Sequence, residues 1–201
     1  MSVSKPFTLP LGSTAPEFRL PSTTGITCSL SELKGSVGTV VFFTCNHCPY
    51  VLGSDEHTAT LAREYDDNGI NFIGINSNSA NTYADDGYEG MVARMHEHKF
   101  PWPYLHDESQ DVARAYGALR TPHFFLFDKD MKLVYTGRSI DQPRDWTKAT
   151  SFELRDALDD LVAGREVQTS QTNPIGCNVK WDGQDAHWMP GEACDLVVLK
   201  S

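Results

Sequence analysis

The sequence predicts an α/β fold in which a central mixed β-sheet carries helices on both faces. Two apolar runs, 37–44 and 70–76, are continuous rather than alternating, which is typical of strands buried on both sides. Helical patterns separate and follow these runs, and they give the order β-α-β-α-β. A hairpin and a last helix come next, so the sheet is expected to contain antiparallel as well as parallel strands.

The N-terminal segment predicts a β-hairpin followed by a short helix. Strand-like residues at 18–20 and 26–28 lie on either side of the turn dipeptide Thr24-Gly25. Ser29-Leu-Ser-Glu-Leu has the pattern of a helix start, and Gly35 ends that helix.

Apolar spacing and turn residues predict the central elements. Pro49 suits the first turn of a helix, and one helix is expected from there to the stop at Asn68-Gly69. A polar loop follows the second long strand, and its acidic pair Asp85-Asp86 is expected to be solvated. The remaining predicted elements are a helix with Tyr88, Met91, Val92 and Met95 on one face, a short strand at 102–105, a helix at 109–116, a hairpin of 124–127 with 132–135, and a helix ending at Gly164.

The periodic pattern stops after residue 164. From Arg165 onward Thr, Gln, Asn, Pro and Gly predominate, with scattered tryptophans. We therefore predict one domain over residues 1–164 and a C-terminal extension, 165–201, that packs on it.

Composition excludes several classes of function. The 201-residue chain has a net charge of −10 and no basic stripe, which argues against a nucleic-acid partner. No apolar run reaches the roughly 18 residues that a membrane span needs, so no membrane partner is expected. The N-terminus has no apolar signal-peptide core, and the expected location is cytoplasmic.

The sequence Cys45-Asn46-His47-Cys48-Pro49 joins the first long strand to the helix that follows it. Two cysteines three positions apart at such a turn lie near a helix N-terminus, where free N–H groups and the helix dipole lower a thiol pKa. Two neighbouring sulfurs can attack a disulfide, form a mixed disulfide and resolve it. In a reducing compartment the pattern is typical of redox chemistry or of metal binding.

Three segments of the chain resemble the thioredoxin superfamily. They are the strand–CxxC–helix unit at 39–65, Thr121-Pro122 before the strand at 124–127, and the stretch from Gly12 to Gly35, which is similar to the opening of peroxiredoxins. The resemblance covers roughly residues 10–163. It implies a thioredoxin-like fold with the N-terminal hairpin and the C-terminal extension added, and a cis Pro122 that faces the CxxC.

Within that superfamily, Cys-Asn-His-Cys-Pro together with the segment from Pro174 to Trp181 resembles a peroxiredoxin-like group, the alkyl hydroperoxide reductase/thiol-specific antioxidant family. The resemblance implies thiol-based redox and antioxidant activity. Peroxiredoxins carry a threonine three residues before the peroxidatic cysteine and an arginine near a later strand. Here Cys45 and Pro122 stand at those places, and Arg120 lies nearby but out of register.

Cys45 is the expected nucleophile, because the more N-terminal thiol should be the more exposed one, and Cys48 is expected to resolve the mixed disulfide. His47 either stabilises the thiolate and lowers its pKa or is a solvated turn residue. Cys177 is expected to be either an accessory thiol that relays with Cys48 or a small buried residue. His123 is expected near the CxxC, in the core or at the surface. The residues expected to support the site are Thr44, Asn46, His47, Pro49, Thr121 and Pro122.

The predicted function is that of an enzyme, a thiol–disulfide oxidoreductase with a redox-active Cys45/Cys48 dithiol. Its predicted partners are a protein or small-molecule disulfide and an unidentified electron donor, and no cofactor or resident metal is expected. Two alternatives remain open. One is a thiol-dependent peroxidase of the peroxiredoxin type, and the other is a carrier of a soft metal such as copper that uses Cys45, Cys48 and His47 or His123.

Overall fold

The computed structural model describes residues 7–197 of the chain. The strands are β1 Arg19–Pro21, β2 Thr27–Ser29, β3 Gly38–Thr44, β4 Ile70–Asn76, β5 Tyr104–His106, β6 Arg120–Thr121, β7 His123–Asp128, β8 Leu133–Gly137 and β9 Cys177–Asn178. The α-helices are α1 Leu30–Leu33, α2 Pro49–Leu52, α3 Asp55–Asp66, α4 Tyr88–His98, α5 Asp111–Tyr116 and α6 Glu153–Val162. Short 3-10 helices lie at Ala84–Asp86 and Trp146–Lys148.

A five-stranded mixed sheet forms the centre of the fold, in the order β5-β4-β3-β7-β8. β3 and β5 run parallel to β4, whereas β7 is antiparallel to both β3 and β8. Successive side chains of a strand point to opposite faces. Val41 and Phe43 of β3 accordingly belong to one buried cluster, and Val40 and Phe42 belong to the other. Apolar layers on both faces explain the continuous apolar runs and confirm the predicted fold class.

The N-terminal hairpin is also confirmed. β1 and β2 pair antiparallel and separately from the central sheet. α1 begins with a capping box, in which the backbone N–H of Ser29 donates to the Glu32 carboxylate at 2.8 Å.

The single helix predicted after Pro49 is wrong, because Gly53-Ser54 divides it into α2 and α3. The Ser54 hydroxyl donates to the carbonyl of Tyr50 at 2.8 Å, which competes with helix continuation. The carbonyl of Gly53 accepts from the N–H of Trp146 at 3.3 Å, and a side chain at Gly53 would clash with the backbone of Arg144. A segment distant in sequence therefore packs at the break, and the local apolar pattern gave no sign of it.

The segment after α6 is built into the fold. β9 pairs antiparallel with β6, and Val179 and Trp181 are buried in the cluster that contains Phe43. No helix within residues 7–197 combines the length and the apolar character of a membrane span.

Candidate active site

The CxxC lies in the turn that leaves the central strand. β3 ends at Thr44, and Cys48 is the N-cap residue of α2, with Pro49 at the first helical position, where a missing N–H breaks no hydrogen bond. The N–H of Val51 donates to the carbonyl of Cys48 at 2.9 Å. Because α2 is only four residues long, little of the expected long-helix dipole acts on the thiols.

The second wall of the site is Thr121-Pro122, whose peptide bond is cis, as the resemblance implies. The Cys48 thiol donates to the carbonyl oxygen of Thr121 at 3.1 Å. The Cys45 thiol lies 3.5 Å from the Thr121 hydroxyl. One residue thus contacts both sulfurs, and the structure brings the CxxC and Thr121-Pro122 together as predicted.

The expected difference in exposure between the two thiols is wrong. Cys45 and Cys48 both have 0% exposure. Burial raises the pKa of Cys45 well above its usual range, and its hydrogen bond with Cys48 acts in the same direction. The pKa of Cys48 is lowered, because the thiols of Cys177 and Cys45 both donate to its sulfur. Burial of Cys48 opposes this change, but the hydrogen bonds with the two sulfurs outweigh it. Cys48 is therefore the better thiolate of the pair.

A third sulfur completes the cluster. Cys177 of β9 lies opposite Thr121 in the antiparallel ladder with β6, and it packs against the two buried cysteines. It is partly exposed, unlike the other two. Its hydrogen bond to Cys48, followed by burial, raises the pKa of Cys177. Cys177 thus lies beside the CxxC pair and is only partly buried.

Asn46 and His47 are held by Asp86, which sequence reasoning missed. Asp86 is fully buried, so the expectation of a solvated acid is wrong for this residue. Its carboxylate accepts from the backbone N–H of Asn46 at 2.7 Å and from the side chain of Asn78 at 2.8 Å, and it lies 2.7 Å from Nδ1 of His47. The His47 ring also stacks on Tyr83 at 3.8 Å between centroids. His47 is therefore an ordered residue of the site rather than a free turn residue.

The position of Asp86 beside the CxxC can be inferred from the sheet topology, but not from the CxxC motif itself. Parallel strands β3 and β4 end at the same edge of the sheet, with Thr44 opposite Asn76 in register. The loop after β4 must therefore lie beside the CxxC loop, and its acidic residues are candidates for contact. The side chain of Asn76 donates to the carbonyl of Asp86 at 2.8 Å and fixes this loop.

His123 is a core residue and does not reach the thiols. The N–H of Leu119 donates to its Nδ1 at 3.2 Å, and Nε2 lies 3.1 Å from the hydroxyl of Thr136. Burial lowers the pKa of His123 to about 3, so the ring is neutral at physiological pH. Both ring nitrogens are occupied, which removes His123 from the expected set of metal ligands.

A different donor set lies at the CxxC loop. One donor atom each from Cys45, His47 and Asp86 lies within 4.8 Å of the others. Sulfur, imidazole and carboxylate are all ligands of zinc and other transition metals. The Asp86 carboxylate also accepts hydrogen bonds from Asn46 and Asn78, so its burial has a structural explanation without a metal.

A groove of about 570 Å³ lies apart from the sulfur cluster. It is lined by Leu133 and Val134 of β8, by Leu161 of α6 and by Val167, and the cysteines do not line it. The groove is therefore not part of the thiol site.

The central mixed sheet, the dithiol after β3 and the cis proline facing it define a redox protein with a thioredoxin-like fold of the peroxiredoxin-like type. The Redoxin family profile matches residues 10–153. Because the match spans more than half of the chain, the protein belongs to the Redoxin family.

Several solved structures share the fold. An uncharacterized conserved protein from Geobacillus kaustophilus is 41% identical, with 88% of this chain and 94% of that chain covered and a TM-score of 0.82. The hypothetical protein SMc02350 from Sinorhizobium meliloti is 38% identical, with 88% and 97% covered and a TM-score of 0.82. The thioredoxin domain of a thiol-disulfide oxidoreductase from Bacteroides vulgatus shares the fold at 23% identity, with 64% and 89% covered and a TM-score of 0.55. No curated protein matches the sequence.

Proposed function

We propose that the protein is a thiol–disulfide oxidoreductase whose Cys45/Cys48 dithiol reduces disulfides through a mixed disulfide. The observation that carries the proposal is the sulfur cluster itself, in which two thiols at the end of the central strand both contact Thr121. Membership of the Redoxin family supports redox chemistry at this place in the fold.

We assign the attacking role to Cys48, the reverse of the order expected from sequence, because its pKa is lowered whereas that of Cys45 is raised. Its thiolate attacks one sulfur of a disulfide, a new S–S bond forms, and the leaving thiolate takes up a proton. Cys45 then loses its proton and attacks Sγ of Cys48, which releases the second thiol. Two protein thiols are oxidised to one disulfide, and one substrate disulfide is reduced to two thiols.

The raised pKa of Cys45 suits the resolving role. Once Cys48 is bound in a mixed disulfide it no longer carries negative charge, so its repulsion of a second thiolate disappears. The Thr121 hydroxyl, which lowers the pKa of Cys45, can then stabilise the forming anion. The buried Asp86 carboxylate acts against that anion, which gives its partner His47 a reason to lie beside the site.

Catalysed reduction of a small disulfide by the protein, with an external dithiol as the electron donor, tests the proposal. We expect Cys48→Ser to lower the rate to the uncatalysed background, and Cys45→Ser, which lacks the resolving thiol, to lower it well below that of the wild type. Cys28→Ser is the matched control, because Cys28 lies on the N-terminal hairpin and is outside the sulfur cluster. Full activity in either CxxC variant would contradict the proposal.

Peroxide reduction is the competing redox reaction, and the same samples can be tested with hydrogen peroxide. Arg120, the nearest candidate for a peroxide-activating arginine, donates its guanidinium to the side chain of Asn178. We therefore expect slow loss of thiols with peroxide and fast loss with a disulfide. The reverse order would favour the peroxidase.

Metal binding is a second candidate, favoured by the proximity of Cys45, His47 and Asp86 donor atoms. Equilibrium dialysis of the reduced protein against Zn²⁺ or Cu(I) tests it. Stoichiometric binding that is lost in His47→Ala would support a metal site, whereas binding that depends only on the two CxxC cysteines would assign the metal to the dithiol.

A further inference from the structure

The segment 172–181, which we call the strap, crosses the active site and is fixed at both ends. At its start, the N–H of Thr172 donates to the carbonyl of Thr136 at 3.0 Å. Near its end, the N–H of Lys180 donates to the side chain of Asn78 at 2.9 Å, and the last residue, Trp181, is buried. The strap is therefore a built part of the site rather than a loose cover.

Between these anchors the strap lies directly on the backbone beside the cis proline. Cys177 and Thr121 are register partners in the β6–β9 ladder. A side chain at Gly176 would clash with the carbonyl of Thr121, so the approach of the two backbones requires glycine there. Extended peptides bind to a sheet edge through such backbone pairing. Because the strap already occupies this edge, a peptide substrate cannot pair with it.

The strap also carries the one sulfur of the cluster that is exposed to solvent. Cys45 and Cys48 have 0% exposure, and Cys177 is the partly exposed member of the cluster. An external disulfide therefore reaches Cys177 first. Cys177 packs against the buried pair, so its sulfur is placed for exchange with them.

Two cationic side chains act on the exposed sulfur. Lys180 and Arg144 both act electrostatically on the Cys177 thiol in the direction that favours its anion. The Arg144 guanidinium lies 4.5 Å from the ring centroid of Tyr50, which packs against the same sulfur cluster. This environment favours a disulfide with carboxylate groups over a cationic one.

We propose that Cys177 is the entry thiol of a three-sulfur relay that oxidises the dithiol with small anionic disulfides. This inference rests on the proposed function and names its substrate class and its route. The electrons leave Cys45 and Cys48 through Cys177. Cys48 therefore attacks Sγ of Cys177 rather than a sulfur of the substrate.

The relay has three balanced steps. Cys177 attacks the external disulfide, passes its proton along the hydrogen bond to Cys48, and the first small thiolate leaves. Cys48 then attacks Sγ of Cys177, its proton goes to the second leaving thiolate, and a Cys48–Cys177 disulfide forms. Finally Cys45 attacks Sγ of Cys48, Cys177 leaves and recovers the proton of Cys45, and the Cys45–Cys48 disulfide remains.

The first experiment measures how fast reduced protein forms the Cys45–Cys48 disulfide when glutathione disulfide is added. Acid quenching, alkylation and mass mapping identify the bond. We expect Cys177→Ser to be slower by about tenfold or more, because the buried sulfurs lose their exposed partner. Cys194→Ser is the matched control in the same extension, since Cys194 is exposed and outside the cluster, and it should react at the wild-type rate. A wild-type rate in Cys177→Ser would overturn the proposal.

The second experiment stops the relay with Cys45→Ser, which cannot complete the third step. We expect a Cys48–Cys177 disulfide to accumulate. A glutathione adduct on Cys48 without that bond would overturn the relay and leave the proposed function intact. A wild-type protein that never forms Cys45–Cys48 would instead contradict the proposed function itself. Cystamine, a cationic disulfide, should react more slowly than glutathione disulfide, and the opposite order would overturn the assigned substrate class.

Discussion

Replacing Cys177 with alanine is predicted to raise the pKa of Cys48. The Cys177 thiol is the largest contributor to the lowered pKa of Cys48, ahead of the thiol of Cys45. A hydrogen bond to a charged acceptor contributes about 1.5–3 kcal/mol. At 1.36 kcal/mol per pH unit, loss of this donor should raise the pKa by about one to two units. The remaining Cys45 donor should keep the pKa below that of a free thiol.

The ultraviolet absorbance of the thiolate, followed against pH in the reduced protein, measures this change. The Cys48→Ser variant identifies which part of the curve belongs to Cys48. Cys194→Ala removes an exposed thiol from the same extension and serves as the control for composition. An unchanged pKa of Cys48 in Cys177→Ala would contradict this prediction, since it would mean that the two sulfurs do not share a proton.

Three further predictions concern the residues around the cluster. His47→Ala removes one of the three partners of the Asp86 carboxylate, so the pKa of Cys45, already raised by that charge, should rise further in a thiolate titration. His123 should make the free energy of unfolding fall as the pH is lowered. Its pKa is about 3 in the folded protein and 6.5 in the unfolded chain, so the unfolded state binds one more proton in acid. Urea unfolding should show a loss of about 2 kcal/mol between pH 6.5 and pH 5. Gly176→Ala should lower the free energy of unfolding by about 1–3 kcal/mol, because the added methyl group overlaps a backbone carbonyl.

Each of these predictions has a matched control. His47→Gln keeps a donor near the carboxylate and should move the Cys45 titration less than alanine does. His123→Gln should reduce the acid sensitivity, whereas His96→Gln, which alters an exposed histidine, should leave it unchanged, so equal effects of the two variants would contradict the assignment. Gly191→Ala meets no atom within 4 Å, and a cost equal to that of Gly176→Ala would show that the strap contact is unimportant.

The fold could be predicted because the sequence pattern of each long strand indicates the structure that it adopts. β3 and β4 are continuous apolar runs between turn residues, and the capping box of α1 is visible in the sequence. The break at Gly53-Ser54 could not be predicted, because it depends on the packing of a segment near Trp146 that lies far away in the sequence. Tertiary contact overrode a continuous helical pattern at that point.

The two motifs of the site were visible, but their electrostatics were not. The sequence places Cys45 and Cys48 at a strand end, and the Thr121-Pro122 pair can be recognised by resemblance. Cys177 of the strap packs against both thiols, a contact that the resemblance of the segment from Pro174 to Trp181 does not specify. The burial of Asp86 depends on the shared edge of β3 and β4, and a pair of acidic residues in a loop gives no local sign of it.

The redox activity of the Cys45/Cys48 dithiol can be measured by equilibrating the protein with graded ratios of glutathione to glutathione disulfide. Acid quenching and disulfide mapping then identify the bonds that form. We expect a single two-electron transition in which Cys45 and Cys48 become linked to each other. Cysteines that remain reduced across the whole range, or that acquire only glutathione adducts, would contradict the assignment of a redox-active dithiol.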